Sequence, residues 1–135
     1  MKTKRKKPAT ISEASILMWQ HLGEICRQHG PWADREYKFH PERKWKFDFV
    51  ITDPSFTSNP AQLRIAIEIE GGVFGYRDPK RGYVRGGAHS SISGILRDLE
   101  KYNEAAALGW RVLRFLPSQV LDGTAIAFIR RVLES

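Results

Sequence analysis

Residues 63–70 alternate apolar and polar side chains with a period of two, as a β-strand does. Successive side chains of a strand point to opposite faces, so Glu68 and Glu70 share one face and the isoleucines share the other. Two glycines follow directly. This pattern predicts a strand that ends beside two neighbouring carboxylates.

Residues 44–51 show the same alternation. It places Phe47, Phe49 and Ile51 on an apolar face and Asp48 on the opposite one. A third carboxylate can therefore join the pair on the later strand. Carboxylates gathered in this way repel one another at neutral pH, and a divalent cation relieves that repulsion. We expect a metal site with phosphodiesterase chemistry.

The rest of the pattern predicts three helices and two further strands around these segments. In chain order, we expect a helix from the N-cap Ser12 to Gly30, strands at 35–40, 44–51 and 63–70, a helix from Ser91 to Leu108, a strand at 110–115 and a helix at 124–134. Strands 63–70 and 110–115, joined through a helix, should run parallel. The fold class is therefore α/β, a mixed β-sheet flanked by helices.

An apolar stripe runs along the predicted helix from Ser91 to Leu108. Its members, spaced at helical intervals, are Ile92, Ile95, Leu96, Leu99, Tyr102 and Ala106. Such a stripe is typical of a helix that packs on a sheet, and we expect it to face inward. Lys101 would then lie at the flank of the stripe, where a long side chain can reach the neighbouring strand.

The composition favours a polyanionic partner. The chain of 135 residues has a net charge of +7, and five of its first seven residues are Lys or Arg. We predict a disordered basic arm over residues 1–10, followed by a single domain over 11–135. A glycine-rich segment, 73–91, reads as a functional loop. The residues expected to grip DNA phosphates are Lys4, Arg5, Lys6, Lys7, Arg77, Lys80, Arg81 and Arg85. A basic arm that serves only solubility is the simpler alternative.

Other classes of protein are disfavoured. No apolar stretch approaches the roughly 18 residues of a membrane span, so we expect no membrane association. The single cysteine, Cys26, leaves no internal disulfide. The basic opening lacks the apolar segment of a secretion signal. We expect an intracellular, cytoplasmic location.

Several short motifs resemble those of one nuclease superfamily. They are Ser12-Glu13, Phe47-Asp48-Phe49, the run from Ala66 to Gly72, His89, the run from Asp98 to Tyr102, and the run from Gly109 to Phe115. Together they resemble the PD-(D/E)XK nucleases, and they are most similar to the very-short-patch-repair-like branch and to small phage-encoded endonucleases. The resemblance implies a restriction-endonuclease-like fold and a role in phage biology or in DNA repair or recombination.

The resemblance also implies a Mg²⁺-dependent cut of a DNA phosphodiester, with Mn²⁺ able to substitute. Asp48 and Glu68 would be the metal ligands, with the carbonyl of Ile69 as a further oxygen ligand. The chemistry is consistent, because Mg²⁺ prefers oxygen ligands and acidifies a bound water. A homodimer would be required if two cuts are coordinated.

Glu70 stands where the motif of this superfamily has a lysine. Three replacements are open: Glu70 holds a second metal or positions water, Lys101 supplies the cation, or His89 acts as general acid or base, as in the very-short-patch branch. Glu13 matches a helix-start carboxylate that reaches the site in related nucleases, although a carboxylate there also complements the helix dipole.

Two alternatives remain at this point. The missing lysine would also suit a nucleic-acid-binding module on the same fold whose catalysis has decayed. A basic surface alone does not distinguish DNA from RNA, so an RNA-processing nuclease is the other alternative.

Overall fold

A computed structural model describes residues 8–53, 63–71, 76–78, 80, 82–84 and 92–134. In chain order the elements are α1 (Ile11–His29), β1 (Trp32–Lys38), β2 (Lys46–Thr52), β3 (Arg64–Ile69), β4 (Tyr76–Asp78), β5 (Gly82–Val84), α2 (Ile92–Ala107), β6 (Arg111–Phe115), α3 (Pro117–Leu121) and α4 (Thr124–Glu134).

The central sheet has four strands in the order β1-β2-β3-β6. β1, β2 and β3 pair antiparallel, and β3 pairs parallel with β6 after the crossover through α2. The predicted mixed α/β sheet and its parallel pair are confirmed. The predicted order of elements is incomplete, because β4 and β5 form a separate two-stranded hairpin within the expected loop, and α3 precedes the last helix.

One face of the sheet carries most of the hydrophobic core. α1 contributes Met18, Leu22 and Ile25, which pack against the isoleucines of β3 and the buried residues of α3 and α4. The predicted end of α1 is confirmed, since Gly30 takes a left-handed φ of 87° and its N–H donates to the carbonyl of Cys26. Thr10 caps the other end.

The predicted N-cap of α1 is wrong. The helix begins one residue before Ser12, and the hydroxyl of Thr10 accepts a hydrogen bond from the N–H of Glu13 at 3.1 Å. Both residues have the right chemistry for a cap, and only the backbone of Thr10 has the extended conformation that capping needs.

α2 covers the opposite face of the sheet in an orientation that the sequence did not predict. Its apolar stripe does not face inward: Ile92, Leu96 and Leu99 are 79%, 59% and 55% exposed. The inward side instead carries the small buried residues Gly94 and Ala105.

Polar contacts hold α2 in this orientation. Glu104 lies 3.1 Å from the ring of His40, and Glu100 accepts a hydrogen bond of 2.6 Å from Arg43, so two residues between β1 and β2 tie down one side of the helix. Lys101 extends from the inward side toward the sheet. The side of α2 that packs on the sheet thus carries small residues and Lys101, flanked by ion pairs, and the stripe is left exposed.

Within the part of the chain that the structure describes, no helix is both long and apolar enough to cross a membrane.

Candidate functional site

Asp48, within β2, and Glu68, near the end of β3, lie where these two central strands separate. The ladder between these strands ends at the pair Phe49↔Ile67. Beyond that pair, the N–H of Ile69 donates to the Asp48 carboxylate at 2.8 Å instead of pairing with the β2 backbone. This hydrogen bond fixes Asp48 beside the last residues of β3.

The alternation predicted for residues 44–51 breaks at the same place. Phe47 is fully buried on the α2 side, stacked on Phe39 at 4.0 Å between ring centroids, and it does not share a core with Phe49. Next to it, the β1–β2 ladder passes from Arg35↔Phe49 to Tyr37↔Phe47, and the intervening Glu36 has a φ of +51°.

The expectation that Phe47 and Phe49 share a face is therefore wrong. A local irregularity in a ladder re-aims side chains, as β-bulges do beside functional sites. Here it places an aromatic ring under the site without moving Asp48 away from β3.

Glu68 is the buried acid of the site. Its residue is 7% exposed, and its carboxylate forms an ion pair with the ammonium group of Lys101 from α2. The pKa of Glu68 is raised to about 7, mainly by burial. Lys101 lowers this pKa, whereas the charge of Asp48 and a hydrogen bond with Asp48 raise it further.

Glu70 has a different partner. Its side chain, 11% exposed, pairs with the guanidinium group of Arg114 on β6. That contact raises the pKa of Arg114. The two carboxylates that meet are thus Asp48 and Glu68, whereas Glu70 is neutralised from the neighbouring strand.

Arg114 and Tyr102 are site residues that sequence analysis missed. Arg114 lies opposite Glu68 in the parallel register, and its guanidinium group stands 4.4 Å from the ring centre of Tyr102. Burial and the charges of Glu68 and Glu70 raise the pKa of Tyr102. The sequence contained a signal for Arg114. Once 110–115 is taken as a parallel neighbour of β3, alternation puts Val112 and Arg114 on one face of the sheet, and this is the face that carries the two glutamates.

Glu13 is exposed in the first turn of α1. Ile11, two residues earlier, packs so closely on Gly71 that a Cβ there would lie 1.9 Å from its Cδ1 atom. The absence of a side chain at Gly71 therefore lets α1 begin at the end of β3, which brings the start of this helix toward Glu70.

Several predicted residues lie outside the described part of the chain. They are His89, Lys4, Arg5, Lys6, Lys7, Arg81 and Arg85. Lys80 is described and exposed, between β4 and β5, and the backbone of Arg77 lies in β4. Their predicted roles stay predictions.

The oxygen atoms at the end of β3 suit a small hard cation. Asp48 and Glu68 are in contact, and the carbonyl of Ile69 follows directly on the same strand. Among the described residues, no group of three or more His, Cys, Asp or Glu side chains is arranged to hold a metal ion. Mg²⁺ binds through one or two carboxylates and keeps water and substrate phosphate as its other ligands, so this donor set fits it.

Searches against family models, curated proteins and solved structures find no match to this chain.

Proposed function

We propose that this protein is a Mg²⁺-dependent endodeoxyribonuclease with a restriction-endonuclease-like fold. The observation that carries the proposal is the buried contact between Asp48 and Glu68, with Lys101 on the same carboxylate. A carboxylate that is buried beside another acid is costly unless a cation compensates it. Such an arrangement is typical of a site built for a cation and an anionic substrate.

Each residue has a distinct task in this proposal. Asp48, Glu68 and the carbonyl of Ile69 would hold the ion, and Asp48 is pre-positioned by the N–H of Ile69. When bound, Mg²⁺ supplies an acidified water and neutralises charge at phosphorus.

Lys101 is the cation that stands in for the motif lysine. Its side chain is 16% exposed and its ammonium group pairs with Glu68, so it would stabilise negative charge on a phosphate held at the site. Lys101 on α2 would therefore supply the positive charge that Glu70, at the position of the motif lysine, does not supply.

The net charge of +7 favours a nucleic acid as the substrate, and the resemblance to endodeoxyribonucleases favours DNA. The basic arm and the 73–91 segment carry the candidate phosphate-binding residues. These groups position a backbone and do not read bases, so sequence specificity has to come from elsewhere.

The test is cleavage of labelled duplex, nicked, junction and single-stranded DNA, with Mg²⁺, Mn²⁺ or a chelator. We expect cleavage with either metal, none with the chelator, and none from Asp48→Asn or Glu68→Gln. Glu24→Gln, an exposed acid on α1, is the matched control and should cleave normally.

Each negative result has a definite meaning. Metal-independent binding of DNA without any cleavage would identify a decayed binding module, and cleavage of RNA alone would identify an RNA-processing enzyme. Normal cleavage by either site variant at matched Mg²⁺ would refute the assignment of the metal ligands.

A further inference from the structure

A groove lies between α2 and the edge strand β6, next to the site. Its volume is about 570 Å³, within the range of sites for small organic groups. Its lining includes two aliphatic side chains of α2, two polar side chains and two opposite charges: Ile95, Leu99, Tyr102, Asn103, Asp98 and Arg114. We call this the α2–β6 groove.

The groove is continuous with the candidate active site. Tyr102 and Arg114 line it, and the same two side chains stand beside the glutamates: Arg114 pairs with Glu70, and the charges of both glutamates act on Tyr102. Lys101, the partner of Glu68, is adjacent to Tyr102 on α2. A group in the groove is therefore next to any phosphate held at Asp48 and Glu68.

One side of the groove is apolar and open. Ile95 and Leu99 are 47% and 55% exposed, although both are large aliphatic residues on a helix that packs on the sheet with its other side. Exposed aliphatic side chains that line a concave surface favour a ligand with a flat apolar face.

The polar side offers donors and acceptors. The amide of Asn103, exposed at the groove, can donate and accept at once, which is the pairing that the edge of a base requires. Arg114 and Asp98 bring opposite charges to this side of the groove, and Arg114 is paired with Glu70. An apolar face beside an amide edge matches a nucleobase.

We propose that the α2–β6 groove receives one unstacked nucleobase of the substrate strand, adjacent to the phosphate that is cut. This inference rests on the proposed function and deepens it. A base enters such a groove only when it has left the helical stack, so the substrate class is DNA with an unpaired nucleotide at the cut: single-stranded, mismatched or looped.

Binding without metal tests this inference independently of cleavage. The probe is a short single-stranded oligodeoxynucleotide, compared by fluorescence anisotropy in chelator with an abasic oligonucleotide of the same length and charge. Wild type should bind the base-containing strand about tenfold more tightly, as expected for one base held on a protein surface.

Two variants locate the effect. Leu99→Gln should reduce the ratio of the two affinities, base-containing over abasic, to near one. Asn103→Ala should reduce this ratio severalfold. Ile16→Gln is the matched control, because Ile16 is 62% exposed on α1. The helix α1 packs on the other side of the sheet from the groove. Ile16→Gln should therefore leave the ratio unchanged.

Equal affinity for the two strands, or a preference that survives Leu99→Gln, would overturn the inference. A dimer that dissociates in Leu99→Gln, observed by sedimentation, together with an unchanged preference for bases would also overturn the inference. A second copy of the chain would then cover the groove. Loss of the preference in Leu99→Gln in a protein that never cleaves DNA would keep the groove assignment and reject only the nuclease.

Discussion

Replacing Glu68 by Gln should make the metal-free protein more stable at alkaline pH. Burial raises the pKa of this carboxyl group from its ordinary value of 4.5 to about 7. The folded state thus binds the proton more tightly than the unfolded state does. The stability that this group contributes is fully present below pH 4.5 and is lost as the pH rises through about 7.

The magnitude follows from the difference between the two pKa values. At about 1.36 kcal/mol for each pKa unit, the difference between 4.5 and about 7 corresponds to about 3 kcal/mol. The attraction of Lys101 is already contained in this value, because that residue lowers the pKa. Glutamine has the size of the protonated acid and never ionises, so the variant does not lose this free energy of unfolding as the pH rises.

The assay is urea unfolding of wild type and Glu68→Gln in chelator, from pH 4.5 to 8.5. We expect equal free energies of unfolding at the acid end and a variant about 3 kcal/mol more stable at the alkaline end. Glu24→Gln, at an exposed position, controls for the loss of a carboxylate and should follow wild type throughout. Titrating groups that do not interact with Glu68 cancel in the difference between the two proteins.

Mg²⁺ should remove most of this difference at the alkaline end. An ion that binds only the folded protein at a hundred times its Kd stabilises it by about 2.7 kcal/mol, and this gain should appear in wild type and be much smaller in Glu68→Gln. A difference between the two proteins that stays flat across pH, or a variant that is less stable at pH 8.5, would refute the reasoning about Glu68.

Three further outcomes are expected. Lys101→Met should lower the single-turnover cleavage rate by about 10². It should also shift the pH dependence of that rate upward, because Glu68 loses the partner that lowers its pKa. A normal rate in Lys101→Met, with no activity in His89→Ala, would make the histidine the essential group. Thr10→Ala should cost about 1 kcal/mol in urea unfolding, and Ser12→Ala should cost almost nothing; equal costs would mean that the cap is misassigned. Removing the basic N-terminal arm should flatten the dependence of log affinity for DNA on log salt, and an unchanged slope would show that the arm does not touch DNA.

Local patterns in the sequence determined the strands of the central sheet and the helices α1, α2 and α4. Alternation placed the strands that carry Asp48 and Glu68, and Gly30 ended the first helix where expected. These features depend on neighbours along the chain, through the two-residue period of strands and the left-handed conformation that glycine adopts at little cost. The sequence could therefore nominate the acids and the sheet that holds them.

Only the tertiary structure decided which groups meet. The stripe on α2 predicted the wrong inward side, because the contacts of Lys101 with Glu68 and of Arg43 with Glu100 join residues far apart in the chain. The pairing of Glu70 with Arg114 likewise depends on β6 lying beside β3. Periodicity records how apolar a helix face is, whereas the orientation of α2 also depends on ion pairs and small residues that no local pattern contains.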